Sequence, residues 1–327
     1  MSEAVPSGQL GRGGDAPFWI LALDGGGLRG AFSAHLLMRI VDEFDIRLDS
    51  RFDLVAGTST GSILAAAIAL KRPLAAVADL YEKQGATIFA NRWWSVDGKL
   101  AAKYDGAALK AVLDKELGAA VLGELTRPGL LIPAADIGNG QVHVFKSQYD
   151  GEFVRDKSVR VADAVLASCS APTFFAPHEV GDYRLADGGT WANNPTLVAA
   201  VDAVRRFRVE PSRIRILSIG TGAERFTYPR RPGFRAKAWG FMTAWQRGKL
   251  IELMLSLQSQ ASTNMTSLLL GKEQVLRLNF FDTRLPMDDP TAIADLRARA
   301  DSLFTVASED IRKFLGAERR NPPQRSS

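Results

Sequence analysis

Residues 52–70 read FDLVAGTSTGSILAAAIAL, from Phe52 to Leu70. Phe52–Ala56 is a short apolar run, which suits a buried strand. It breaks at Gly57-Thr58-Ser59-Thr60-Gly61. The Ala-rich Ser62–Leu70 then predicts a helix, stopped near Pro73. The same order occurs just upstream. The apolar run Phe18–Leu23 ends abruptly in Asp24-Gly25-Gly26-Gly27. Residues 28–46 follow, with Phe32, Leu36, Leu37, Ile40, Val41 and Phe44 spaced for one helical face. Strand, tight glycine turn and helix, repeated in succession, predict a mostly parallel α/β sheet with helices on its faces.

The rest of the chain extends this pattern. Residues 74–118 read as mainly helical around an irregular Trp93-Trp94 patch. Leu130–Ile137 and Gln141–Ser147 flank Asn139-Gly140, a hairpin signal. A helix is predicted over Val159–Ser168 and a strand over Tyr183–Ala186, which runs into Asp187-Gly188-Gly189. Helical Pro195–Phe207, a strand at Arg213–Ile219, a long segment near 233–270, a strand at 274–281 and helical 290–315 complete the body. There is no internal repeat and no clean linker. One domain is expected over 17–316, with a core of about 18–222 and a helical, basic C-terminal part over about 223–316. Residues 1–16 and 317–327 are expected to be mobile tails.

Composition excludes several classes. The chain has 327 residues, 46% of them hydrophobic, which rules out wholesale disorder. Its single cysteine, Cys169, permits no disulfide framework and suits a reducing cytosol. No stretch approaches the roughly 20 apolar residues of a membrane span. The first sixteen residues lack the apolar core of a signal peptide. A cytoplasmic protein is expected, with any membrane contact peripheral, at the inner face. The net charge of +5 permits an anionic partner without demanding one.

Gly57–Gly61 matches the G-x-S-x-G of a nucleophile elbow. There a strained strand-to-helix turn presents Ser59, and Gly57 and Gly61 leave it room. The bland alternative is a Gly/Ser turn that caps a helix. Gly25-Gly26-Gly27-Leu28-Arg29-Gly30 reads two ways. As G-x-G-x-x-G with Asp45 and Asp49 beyond it, it is a dinucleotide-binding fingerprint. Paired with a downstream nucleophile, the N–H groups of Gly25, Gly26 and Gly27 form an oxyanion hole, with Arg29 in support. A nucleophilic serine needs a base. The chain has only His35, His143 and His178, and none follows residue 178. The Ser, Asp/Glu, His order of ordinary α/β-hydrolases is therefore poorly served. Asp187, at a strand end before two glycines, offers a carboxylate instead, provided burial raises its pKa. An Asp-Gly turn is the plain alternative.

Together, Asp24–Gly30, Gly57–Gly61 and Asp187–Gly189 resemble the signature of the patatin-like phospholipases, in that family's order. The resemblance runs through Ser168–Pro172 and Trp191–Pro195 and covers about 18–222. It implies a three-layer α/β/α sandwich around a mostly parallel sheet, with extra helices at the C-terminal end. It also implies acyl-ester hydrolysis of membrane phospholipid by a Ser59–Asp187 dyad, without metal or other cofactor. The one departure is Ser62, where many relatives carry a second glycine.

Residues 225–249 hold seven basic and no acidic residues, among them Arg225, Arg230, Arg231, Arg235 and Lys237. Phe226, Tyr228, Phe234, Trp239, Phe241 and Trp245 are interleaved. Cations beside rings suit an anionic membrane surface or a bound nucleotide, or simply a solvated basic loop. The chain is also similar to compact bacterial patatin-like effectors of cyclic-oligonucleotide anti-phage defence. That similarity implies a cyclic dinucleotide activator, for which the basic stretch is the candidate site. No DNA or RNA polymer is expected as a partner, and homo-oligomerisation stays open. Two other readings remain: a dinucleotide-binding protein using Gly25–Gly30, and a catalytically silent lipid- or nucleotide-binding module.

Overall fold

The structure is a computed structural model that describes residues 16–88, 101–223, 247–281 and 287–318. In chain order, β1 (Phe18–Leu23) passes through a tight turn into α1 (Gly30–Phe44) and α2 (Leu48–Arg51). β2 (Leu54–Gly57) enters α3 (Thr60–Ala69), followed by α4 (Leu74–Asp79), a π-helical turn at Leu80–Gln84, α5 (Gly85–Ile88) and α6 (Gly106–Leu117). β3 (Gly129–Asp136) and β4 (Gln141–Lys146) form the hairpin, turned by Gly140 at φ +67°. Then come α7 (Val161–Ser168), β5 (His178–Val180), β6 (Tyr183–Asp187), α8 (Gly189–Ala192), α9 (Thr196–Arg205) and β7 (Ile214–Ile219). α10 (Arg247–Leu270), β8 (Val275–Leu278) and α11 (Ile293–Leu315) complete the described chain.

The strand–turn–helix units at β1–α1 and β2–α3 form as the sequence predicts. β2 runs to Gly57, one residue past the expected end. β5 was not foreseen; three residues are too few to show alternation.

β1 lies at the centre, parallel to both β2 and β7, with β8 parallel to β7. Its side chains alternate between two cores, because successive Cβ atoms point to opposite faces. Trp19, Leu21 and Leu23 join the core that α1, α3, α7 and α11 contribute to. Phe18, Ile20 and Ala22 join the other, with Ala199, Ala200 and Ala203 of α9. The architecture is therefore the expected α/β/α sandwich. The C-terminal part also supplies a strand, β8, to the sheet. α11 packs along α1, and α10 against α8 and α9.

One feature of the register positions the site. Leu131 of β3 pairs with Ala56 of β2 and with Lys146 of β4, so β2 and β4 lie on opposite edges of β3. Ala134 pairs with His143 of β4 and with Asp187 of β6, so β6 and β4 also lie on opposite edges. Hence β2 and β6 share one edge of β3. β2 runs parallel to β3 and β6 antiparallel, so their C-terminal ends face each other across Ile132 and Pro133. Pro133 sits in that gap, where its missing N–H takes no ladder bond from either strand.

Candidate active site

Ser59 leaves β2 at φ +51°, ψ −126°, an unfavourable backbone for a residue with a Cβ. Its neighbours hold it there. A Cβ on Gly57 would lie 2.2 Å from the Gly61 carbonyl oxygen, and one on Gly61 would lie 2.3 Å from that of Leu23. Both positions of the elbow thus demand glycine. The Ser59 N–H donates to Ser168 Oγ (2.9 Å), which in turn donates to the Pro133 carbonyl (2.6 Å). The Ser62 hydroxyl donates to the Ser59 carbonyl (2.6 Å), so the serine in place of a second glycine braces the turn.

Asp187 ends β6, across the gap from Ser59. The Ser59 side chain lies beside its carboxyl and pulls the Asp187 pKa down. The Gly189 N–H donates to Asp187 Oδ1 at 2.6 Å, and the Asp187 N–H to the Ser170 carbonyl at 3.0 Å. Burial pushes the Asp187 carboxyl up to about 6, against the opposing pull of the Ser59 side chain and the Gly189 N–H. A carboxyl poised near neutrality, beside a strained serine, can accept that serine's proton.

The glycine loop lies beside them, and its three residues differ. The Gly25 N–H is taken by the Asn193 carbonyl (3.0 Å). Among the described residues the N–H groups of Gly26 and Gly27 meet no acceptor, and both residues line the cavity that holds Ser59 and Asp187. A Cβ on Gly26 would meet Thr221 Oγ1 at 2.2 Å, and one on Gly27 the Met287 carbonyl oxygen at 2.3 Å. Arg29 lines a separate polar cavity of about 30 Å³, with Asp24, Asn193, Thr221 and Ser259.

The main cavity measures about 390 Å³. Leu28, Ile63, Leu80, Tyr81, Ile88, Leu109, Phe174 and Phe175 give it an apolar wall, while Ser59, Asp187, Thr190 and Asn193 stand at its polar part. The π-helical turn supplies Leu80 and Tyr81. The Tyr81 hydroxyl is 2.6 Å from Thr60 Oγ1, and burial pushes its pKa upward. Cys169 is a further wall residue, its thiol held protonated by the same desolvation. An apolar slot ending at a serine–carboxylate pair suits an ester whose acyl part is a hydrocarbon chain.

None of the three histidines lines this cavity. His143 is buried between strands, and burial lowers its pKa to about 4. His35 pairs with Asp301 on α11 (3.0 Å), and His178 lies 3.4 Å from Asp163. Asp49, an acid the dinucleotide reading relies on, is paired with Arg47 (2.8 Å). Arg225, Arg230, Arg231, Arg235, Lys237 and Trp239 lie outside the described residues, as do all of the expected tails 1–16 and 317–327 except residues 16, 317 and 318.

Four residues that hold the site were not singled out from sequence. Ser168 and Asn193 sit inside blocks that resemble the family. Asn194 follows and is tied to α10 by hydrogen bonds to Ser259 and Thr263. Arg277 pairs with Asp24 from 253 positions away, and no local pattern marks it.

Fold and site together define a serine acyl hydrolase of the α/β class. The patatin-like phospholipase family model matches residues 21–200, which include the end of β1, the glycine loop, Ser59 and Asp187. The chain belongs to this family and is a lipid acyl hydrolase. Among curated relatives, it is 33% identical to a cGAMP-activated phospholipase of Escherichia coli (strain TW11681), over 74% of this chain and 72% of that one. It is 30% identical to a cGAMP-activated phospholipase of Vibrio cholerae, over 88% of each chain. It is 31% identical to a cUMP-AMP-activated phospholipase of Escherichia coli, over 90% of this chain and 93% of the relative. No helix among the described residues is long and apolar enough to cross a membrane.

Proposed function

We propose that the chain hydrolyses acyl esters of membrane phospholipid with Ser59 as nucleophile and Asp187 as base. The observation that carries this is a strained Ser59 and a buried carboxyl raised to about 6, sharing the edge of an apolar slot. Ser59 Oγ attacks the acyl carbonyl as its proton passes to Asp187. The oxyanion is received by the N–H groups of Gly26 and Gly27, a contribution of about 3–4 kcal/mol per donor in other hydrolases. The Gly25 N–H, already bonded to Asn193, acts by holding the loop. Protonated Asp187 passes its proton to the leaving alcohol. It then takes one from a water that attacks the acyl-serine and returns it to Ser59 Oγ as the fatty acid departs.

By similarity to its curated relatives, the enzyme is switched on by a cyclic dinucleotide. Its phospholipid substrate would bring it peripherally to a bilayer, at the inner face of the cytoplasmic membrane. The basic stretch 225–249, entering α10, has the charge to receive that nucleotide. The test is fatty-acid release from bacterial-lipid vesicles, with and without a panel of cyclic dinucleotides. Release should require a nucleotide and vanish in folded Ser59→Ala and Asp187→Asn. Release indifferent to every nucleotide would leave a lipase without the switch. Full activity in either variant would remove the dyad.

A further inference from the structure

α10 turns a row of polar side chains toward the protein, while Gln260 and Asn264 are exposed. Ser262 and Thr266 are buried, with Ser262 Oγ donating to the Asn194 carbonyl (2.9 Å) and Thr266 Oγ1 to the Ser262 carbonyl (2.7 Å). Gln258 accepts from the Asn194 N–H (2.9 Å), and Ser259 accepts from Asn193 Nδ2 (3.1 Å). Five of its large apolar side chains face outward, whereas Leu270 is buried and Leu253 and Leu255 are half-buried. Met254 is 61% exposed, Leu257 54%, Met265 56%, Leu268 84% and Leu269 54%. A surface helix of a globular protein does the reverse.

The outward residues form a stripe. Met254, Leu257, Ala261, Met265 and Leu268 follow at spacings of three and four, which places them on one face over about 21 Å. These are not scattered surface leucines. Five of the eleven large exposed apolar side chains among the described residues lie on this one helix. No charged residue falls between Glu252 and Lys272.

We infer that this outer face of α10 docks on a phospholipid bilayer and lies in its interface. Two observations choose the bilayer over a second copy of the chain. First, the stripe is continuous with the cavity: Met254 belongs to both, and Leu255 beside it is cavity wall. A helix laid in the headgroup region would bring the slot's mouth to the acyl chains, whereas a protein partner on the stripe would lie across that mouth. Second, the chain entering the helix carries seven basic and no acidic residues, which matches an anionic headgroup layer. The inner face fixes the geometry. Hydrogen bonds from Gln258, Ser259 and Ser262 reach the Asn193–Asn194 turn, so the docking face is rigid relative to Ser59.

This rests on the phospholipid reading above, and the experiment separates the two. Flotation of the full chain carrying Ser59→Ala, which keeps the vesicles intact, is measured on phosphatidylethanolamine/phosphatidylglycerol vesicles. Leu257→Gln, Met265→Gln and Leu268→Gln are then added together. All three are exposed, and none lines the cavity. Vesicle partition is expected to fall on the order of 100-fold. With Ser59 restored, release from vesicles should fall in step, while hydrolysis of a soluble short-chain ester stays unchanged. A control triple elsewhere, Val142→Gln, Val154→Gln and Val306→Gln, should alter neither. No partition by the parent protein, or equal partition by parent and α10 triple, overturns the proposal. So does a shift from dimer to monomer by light scattering with partition unchanged, which assigns the face to a second copy. Stripe-dependent partition without phospholipid hydrolysis would uphold the docking and sink the substrate reading instead.

Discussion

Arg277 grips Asp24 through two parallel hydrogen bonds of 2.7 and 2.5 Å, from the far side of the glycine loop that Asp24 begins. Asp24 is 3% exposed and Arg277 17%. Burial still raises the Asp24 pKa, outweighing the opposing pull of Arg277. Arg277 also donates to Ser218 on β7 (2.8 Å), so it ties β7 to the loop entrance. Removing the cation strands a buried carboxylate. Arg277→Met is expected to lose about 3–5 kcal/mol of stability in chemical denaturation. Hydrolysis should drop with it, as Gly26 and Gly27 lose their fixed place. Asp24→Leu combined with Arg277→Met should recover much of the stability, because neither charge is then left alone. A double variant no more stable than the single would mean the pair matters through packing and not through charge.

With Asp187 as the proposed base, activity and stability are expected to move in opposite directions with pH. In that mechanism its carboxyl must be ionised to accept the Ser59 proton. kcat/KM on a soluble ester should therefore fall as pH drops, along a single-proton limb centred near 6. The stability sign is the reverse. A pKa raised in the folded state means the fold holds the proton more tightly than the unfolded chain does. The resulting stabilisation is complete below the ordinary value of 3.8 and is lost as pH rises through about 6. At neutral pH the ionised carboxylate then costs on the order of 2–3 kcal/mol. Asp187→Asn should be inactive yet more stable than the parent at pH 7, with the gap closing toward pH 4. Equal stability of the two across that range would show that solvent reaches the carboxyl freely.

The cavity sets the length of chain it accepts. Leu109 of α6 is buried in its wall. Leu109→Trp fills part of the slot without touching Ser59's hydrogen bonds. kcat/KM for palmitoyl esters should fall by at least about tenfold, while butanoyl esters change by no more than about threefold. A uniform loss across chain lengths would point to a disturbed fold, which near-ultraviolet circular dichroism would reveal.

Much of this site is legible in sequence because its chemistry is local. Gly57–Gly61 announces a turn that only glycines permit, and a Cβ at either end would indeed strike backbone. The hairpin at Asn139-Gly140 declares itself through residues that accept positive φ. What escapes is whatever depends on strands far apart. Pro133 in the middle of β3 reads as an irregularity until β2 and β6 are seen to meet opposite it. Gly25 looks equivalent to Gly26 and Gly27, and only the Asn193 carbonyl distinguishes it. The segment near 233–270 reads only as a long stretch, and nothing in it says which face of α10 turns outward. That depends on Asn193 and Asn194, more than sixty residues earlier.

Ser168 is the last of these distant contacts and the one that joins both halves of the dyad's frame. Its hydroxyl accepts from the Ser59 N–H and donates to the Pro133 carbonyl, bridging the elbow to the gap between β2 and β6. It is fully buried, and it ends α7 just before Cys169. Ser168→Ala leaves two buried backbone groups without a partner. The expected cost is about 1–3 kcal/mol per group. Ser59 already sits in a strained conformation and loses a restraint on it. The variant should lower kcat by roughly ten- to a hundredfold with KM little changed, since the cavity wall is untouched. Ser168→Thr keeps the hydroxyl and should restore most of the rate, if its extra methyl is accommodated. A loss in KM alone, or no rescue by threonine in a variant of normal stability, would mean that Ser168 packs the elbow without orienting it.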